Sequence, residues 1–320
     1  MSKPAKKGGK KPAPPAETPT AVRKTTRCGV VAVMGAPNAG KSTLVNRLVG
    51  SKVSIVSPKV QTTRTRVTGI AMEGQTQLVF LDTPGVFTPR RRLDRAMVDA
   101  AWRSATDADQ VLLVVDAKRG IDDETGQLID GLKERRIKTI LVLNKTDLVK
   151  RAQLLPIAAK LNENYQFTDT FMVSAESGDG VGDLKRTLAA RMPDGPWLYP
   201  EEDLTDMPAR LLAAEVTREH AFRQLRQELP YSLTVETEQW QEQPDGSARI
   251  DQVIYVRKEG QRKIAIGAGG AQIKSIGAAA REELQRLFAR KVHLFLHVKV
   301  AENWDERRDF YKDWGLEYEV

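Results

Sequence analysis

Short apolar runs recur along the first part of the chain, separated by longer stretches in which apolar residues return every three or four positions. GVVAVM precedes a helical pattern from about Ser42, LVFLD one near Leu93 to Ala105, and VLLVVD one from Asp122 to Arg135. TILVLN then precedes a helix expected to break near Pro156, and TFMVSA one from Val181 to Arg191. Continuous apolar strands alternating with amphipathic helices predict an α/β domain with a mostly parallel sheet and crossover helices. Ligands of such sheets bind at the carboxyl ends of the strands, so functional residues are expected just after each run.

The pattern stops at MPDGPWLYPEEDLTDMP, where prolines and an acidic cluster mark a boundary. Beyond it, Leu211 to Leu229 reads as a helix, and YSLTVETEQW and SARIDQVIYVRK read as strands joined by a PDG turn. GGAQIKSIGAAAREELQRLFAR then reads as one long helix and VHLFLHVKV as a final strand, giving an α+β unit ordered helix, strand, strand, helix, strand. Trp304 to Trp314 predicts a closing amphipathic helix. The expected division is a disordered basic tail over 1–27, a first domain over 28–195, a linker over 196–207, a second domain over 208–315 and a short end at 316–320.

Charge sharpens this division. The net charge is +8, and residues 1–27, with eight Lys or Arg against Glu17 alone, supply +7 of it. Neither folded part is basic as a whole, so any nucleic-acid contact there must be local. The tail, rich in Lys, Pro and Ala without apolar period, reads as a solvated extension or as an electrostatic arm for RNA or anionic lipid. No apolar run approaches the roughly 18 residues needed to cross a membrane. The single cysteine, Cys28, cannot form an intrachain bridge, which points to a reducing, cytoplasmic setting.

Directly after the first strand stands Gly35-Ala36-Pro37-Asn38-Ala39-Gly40-Lys41-Ser42, with the spacing G-x-x-x-x-G-K-[ST], followed by Thr43. Its glycines let backbone N–H groups converge on phosphate oxygens, Lys41 brings an ammonium to the terminal phosphates, and Ser42 can ligate Mg²⁺. After LVFL comes Asp82-Thr83-Pro84-Gly85, where Asp82 can hold Mg²⁺ through water and the Gly85 N–H can reach the terminal phosphate. After TILVL comes Asn144-Lys145-Thr146-Asp147, whose carboxylate can accept both the N1–H and the N2 amine of guanine, a pairing adenine does not offer. Ser174-Ala175-Glu176, after TFMV, would complete the base pocket with backbone N–H groups.

These elements, in this order and each at a strand end, resemble the Ras-like GTPase superfamily. The resemblance implies GTP and GDP as ligands, Mg²⁺ as cofactor, and a Thr between the first helix and the second strand that caps Mg²⁺ and senses the terminal phosphate. QTTRTR offers Thr62 and Thr63, and the spacing to Arg64 favours Thr63. Lys41, Thr63, Gly85 and Asn38 are the expected catalytic set. Val86 stands where Ras-like enzymes carry the glutamine that orients water, so intrinsic hydrolysis is expected to be slow or to use another group. Asn38 resembles the asparagine of GTPases that recruit K⁺.

In the second unit, Ile266-Gly267-Ala268-Gly269-Gly270 leads into Ile273 and Lys274. Its G-x-x-G spacing and element order resemble a type II KH domain, whose loop lies against a single-stranded RNA backbone beside an apolar groove. Lys263 and Lys274 flank the loop, whereas its middle pair, Ala268 and Gly269, carries no charge. His293 and His297 share one face of the last strand and read as surface or groove residues. The combination of domains resembles the bacterial ribosome-assembly GTPases of the TrmE-Era type. That resemblance implies a monomer that binds small-subunit ribosomal RNA near its 3′ end, assists assembly of that subunit, and associates peripherally with the inner membrane.

Overall fold

The computed structural model describes residues 25–319, except 58, 60–62, 65 and 90. The expectations for Thr62 and for residues 1–24 of the tail fall outside them. The first sheet has the order β2-β3-β1-β4-β5-β6. Its strands are β1 (Arg27–Gly35), β2 (Val67–Glu73), β3 (Thr76–Asp82), β4 (Gln110–Asp116), β5 (Ile140–Asn144) and β6 (Thr170–Met172). All pair in parallel except β2, which runs antiparallel to β3. Alternation along β1 sends Val31 and Val33 to one core, beneath α1 (Lys41–Val49) and α5 (Val181–Arg191). It sends Ala32 and Met34 to the other, beneath α2 (Arg92–Asp107), α3 (Asp123–Arg135) and α4 (Arg151–Asn164). Both faces are covered, as the unbroken apolar runs require.

Three sequence expectations change. Arg27, assigned to the tail, opens β1 and bonds Asp194. β2 lies between the first helix and LVFLD, where the sequence pattern marked no element. The helix around Pro156 does not break: α4 runs through it. Pro156 lies in the second turn, so only its missing N–H, which would have reached the Ala152 carbonyl, is lost from the ladder.

The proline-rich segment after α5 is fastened to the first sheet. Trp197 and Tyr199 pack on Val79 and Leu81, the Leu198 and Tyr199 N–H groups donate to Gln77 Oε1 (2.9 and 3.1 Å), and Ile70 N–H donates to Leu204 O (2.8 Å).

The second sheet, β7 (Leu233–Glu242), β8 (Ala248–Val256) and β9 (Val292–Val300), is covered by α6 (Ala209–Gln224), α7 (Glu259–Ile266) and α8 (Ala271–Leu287). β7 and β8 pair antiparallel, β8 and β9 parallel. Two helices, α7 and α8, therefore flank the glycine loop where one was expected, and α6 stops at Gln224 rather than Leu229. The C-terminal helix is also shorter than expected: a turn at Trp304–Glu306 precedes α9 (Arg308–Asp313). Among the described residues no helix is long and apolar enough to cross a membrane.

The segment between α1 and β2 lies against the second domain. Lys52 pairs with Glu219 on α6 (2.5 Å) and with Glu283 on α8. Lys59 donates to the Phe222 and Leu225 carbonyls at the end of α6, where a cation also complements the helix dipole. Arg223 returns a bond to Val56 O (2.9 Å). Burial alone would push the Glu283 carboxyl up, but hydrogen bonds from His220 and Lys52 outweigh it and hold it at about 2. On the other side, Phe87, Leu93 and Met97 share one apolar cluster with Trp304, Phe310, Tyr311 and Trp314.

Candidate functional site

The turn between β1 and α1 is built on left-handed backbone at Asn38 (φ 64°) and Gly40 (φ 96°). A Cβ at Gly35 would stand 2.4 Å from the Val114 carbonyl, and one at Gly40 2.3 Å from the Asn144 amide nitrogen. Glycine is therefore required at both ends of the loop. Gly40 caps α1 without a side chain, leaving the first-turn amides, at Lys41, Ser42 and Thr43, to face a cleft of about 460 Å³. Such a helix start attracts anions.

Lys41 is buried, with Nζ donating to Gly35 O and Ala36 O (both 3.0 Å). Burial lowers its ammonium to about 8, against the opposing pull of Asp82 and Glu124. Three oxygens from three elements meet beside it: Ser42 Oγ lies 3.0 Å from Thr63 Oγ1, and Thr63 Oγ1 donates to Asp82 Oδ2 at 3.5 Å. Asp82 is fully buried and burial pushes its carboxyl up, while its Oδ1 has no hydrogen-bond partner among the described residues. A buried, partnerless carboxylate oxygen beside two hydroxyls suits a hard divalent cation with oxygen ligands, so these residues fit Mg²⁺.

The rest of the Asp82–Gly85 segment is anchored against its neighbours, with Gly85 lining the cleft. Thr83 Oγ1 donates to Val33 O (2.8 Å), tying the segment to β1. Pro84 carries the chain on to Gly85, where a Cβ would press on Pro37 at 3.1 Å. Val86 is buried in the apolar core with Met34 and Ala36 and presents nothing to water.

At the end of β5, Asn144 is a brace: its Nδ2 donates to Ala39 O (2.9 Å) and its Oδ1 accepts from Ala175 N–H (3.0 Å). Lys145, in left-handed backbone, donates to Asn38 O (2.6 Å) and pairs with Asp116 (2.8 Å). Ser174 Oγ accepts from Ser177 N–H (3.2 Å), and Arg47 holds the Ala175 and Glu176 carbonyls. Thr146 and Asp147 open on a second cavity beside Ser174, and Asp147 is exposed with no bonded partner among the described residues. The expected nucleotide residues thus gather along one edge of the sheet. Sequence reading missed Asp116 and Arg119, which line the phosphate cleft, and Ser54, a buried hydroxyl beside Asp82. Asp116, ending β4 at the same edge, was findable by the strand-end rule.

Far along the chain, the loop after α7 turns through positive φ at Gly267, Gly269 and Gly270. Ala268 and Gly269 are exposed, and nothing lies within 4 Å of a Cβ at Gly269. Lys263 and Lys274 are exposed on either side, and neither has an ion pair among the described residues. Ile266 and Ile273 are partly buried against the second core, leaving an apolar edge next to the loop. Ile276, one turn further along α8, is fully buried and belongs to the core. Arg262 and Arg257 are committed to Val298 O and Asp305, whereas Lys258, Lys263 and Lys274 have no ion pair among the described residues.

A family model described as a 50S ribosome-binding GTPase matches residues 30–145, and a KH-domain model matches residues 228–305. The chain is 56% identical over 293 residues to the GTPase Era of Afipia carboxidovorans, covering 92% of this chain and 95% of that protein. It is 57% identical, with the same coverage, to the GTPase Era of Bradyrhizobium sp. strain ORS 278. Among solved structures it resembles Era in complex with MgGDPNP and nucleotides 1506–1542 of 16S ribosomal RNA, with TM-score 0.86, 36% identity, and coverage of 92% of this chain and 100% of that one. An Aquifex aeolicus Era variant bound to GDP.AlF4- matches equally well, at TM-score 0.86 and 36% identity, over 92% of this chain and 100% of that one.

Proposed function

The chain belongs to the GTPase Era family, and from that premise we propose that it is a GTP-controlled switch that binds the 3′ region of small-subunit ribosomal RNA and serves assembly of that subunit. The observation that carries the switch is the meeting of Ser42, Thr63 and Asp82 at one buried point, because Thr63 reaches it from a segment that also touches the second domain. Ser42, Thr63 and Asp82 would hold Mg²⁺ there, which would supply positive charge against the phosphates.

The protein's own groups do the rest. The first-turn amides of α1 and the Lys41 ammonium hold the β- and γ-phosphates, Lys41 exchanging the two carbonyls for phosphate oxygens. Gly85 N–H faces the terminal phosphate. Asp147 accepts from guanine, with Asn144 and Lys145 fixing the loop around it. Val86 leaves attacking water unoriented, so turnover without a partner is slow. Asn38 is the group for K⁺ recruitment, and turnover that is equal in K⁺ and Na⁺ would remove that assignment.

On the second domain, the Gly267–Gly270 loop admits an RNA backbone, Lys263 and Lys274 neutralise phosphates, and Ile266 and Ile273 meet bases. The protein acts as a cytoplasmic monomer, its basic tail giving peripheral contact with anionic membrane. Flotation with anionic vesicles should lose the protein when residues 1–27 are deleted; undiminished flotation refutes the tail's role.

The test of the main reading is binding of an RNA of nucleotides 1506–1542 of 16S ribosomal RNA to the protein loaded with GDP or a non-hydrolysable GTP analogue. Binding should be tighter in the GTP form and fall at least about tenfold in Gly270→Asp, which puts a carboxylate where the backbone must approach. RNA bound equally by Gly270→Asp would withdraw the loop as the RNA site.

A further inference from the structure

Neighbouring residues of the segment before β2 face different domains. Thr63 turns its hydroxyl to Ser42 and Asp82. Arg64, only 5% exposed, leaves the first domain altogether. Its guanidinium donates to Leu233 O (2.7 Å), at the start of β7, and stands 5.7 Å from the Phe222 ring of α6 and 5.2 Å from the Trp304 ring. Trp304 is itself 1% exposed and fixed by Nε1 donating to Ser232 O (3.0 Å). The same indole packs in the cluster that holds Phe87, Leu93 and Met97, just after Asp82–Gly85. One socket on the second domain therefore touches both segments that frame the phosphate cleft.

A buried guanidinium is a costly way to fill space, since desolvation must be offset by charge and hydrogen bonding. Here a carbonyl and two aromatic faces stabilise it and the carboxylates of Glu215 and Asp305 favour its charge, but burial and the neighbouring Arg218 guanidinium outweigh them and lower it to about 9. An aliphatic side chain would seal the boundary at lower cost. The planar, directional fork of arginine instead fixes where the segment stands relative to β7. Consecutive Cα atoms are about 3.8 Å apart, so a movement of the Arg64 backbone away from the socket also moves Thr63.

We propose that Arg64 is a positioning residue through which the second domain sets Thr63, so that nucleotide in the cleft and RNA on the second domain are linked through the Phe222–Leu233–Trp304 socket. This rests on the reading of the chain as an RNA-binding GTPase. Linkage makes the effect reciprocal, and couplings of this kind commonly amount to roughly 5–150-fold in affinity.

The experiment measures Kd of the full-length protein for the same 16S RNA in its GDP and GDPNP forms, and takes the ratio, for wild type, Arg64→Gln, Arg64→Lys and Phe222→Leu. GDP affinity without RNA is measured alongside. The ratio should be at least about fivefold in wild type and collapse towards one in Arg64→Gln and Phe222→Leu, with GDP affinity changed by less than about threefold. Arg64→Lys, which keeps charge but not the fork, should lie between. Phe222→Leu alters the socket from the other domain and keeps the test decisive where Arg64→Gln does not fold. Variants that retain the wild-type ratio overturn the role of Arg64 alone, as does a loss of ratio that only follows a general loss of GDP affinity. A wild type with no RNA binding, or with a ratio of one, overturns the switch reading and this inference together.

Discussion

Asp147→Asn should lower affinity for GTP by about 10⁴, towards the range of about 10⁴–10⁵ that sites built on donor–acceptor pairing reach, and confer binding to xanthosine triphosphate. The reason lies in which groups of the base loop are already used. Asn144, bonded through its amide nitrogen to Ala39 and through its oxygen to Ala175, is held as a brace between the phosphate loop and the base loop. Lys145 is held by Asn38 and Asp116. Asp147, two residues beyond Lys145 on the same loop, presents an uncommitted pair of acceptors beside Ser174. Guanine offers two donors to that carboxylate. An asparagine there turns one acceptor into a donor, which faces the guanine amine unfavourably and suits the carbonyl that xanthine carries instead. Competition between fluorescent GDP and each triphosphate measures both sides of the exchange. An Asp147→Asn protein that still prefers GTP would show that another group selects the base.

The first domain was largely readable because its strands are buried on both faces. GVVAVM, VLLVVD and TILVLN announce themselves without their neighbours, and Gly35 to Ser42, Asp82 and Asn144 to Asp147 follow directly from where those strands end. β2 was not readable: VTGIAME is an edge strand whose partner β3 supplies the evidence for it. α7 was missed for a related reason, since EGQRKIAI is eight residues long with a glycine and buries only Ala265. Too short a helix with too little apolar face leaves no period to detect. Arg64 lay in plain view as a basic residue of a presumed switch, yet nothing local distinguishes an arginine bound for solvent from one bound for a socket between domains. Its meaning comes from Phe222, Leu233 and Trp304, distant in sequence.

The same distinction between a local motif and its surroundings predicts opposite effects of one substitution at the metal position. Asp82→Asn is isosteric, so packing is kept, but a charge is removed from a fully buried site. Burial already pushes that carboxyl up, more than Ser42, Lys41 and Thr63 pull it down, so the ionised form is under strain in the protein without its cation. In EDTA and without nucleotide, Asp82→Asn should therefore be more stable than wild type, by about 1–2 kcal/mol. For a domain of this size that corresponds to roughly 2–8 °C in Tm. With Mg²⁺ and GTP the order should invert: the amide offers no negative charge, so hydrolysis should fall by about 10²–10³ and the stabilisation by Mg²⁺ with a GTP analogue should disappear. Thermal melts of both proteins, with EDTA and with Mg²⁺ plus analogue, give the four values needed. A variant less stable in EDTA would mean that the carboxylate is satisfied by the fold itself, and an undiminished response to Mg²⁺ would remove Asp82 from the metal site. Function here is thus written as a defect in the isolated chain: an acceptor is buried at a cost that only a cation relieves, and Thr63 and Ser42 stand beside it to share that cation.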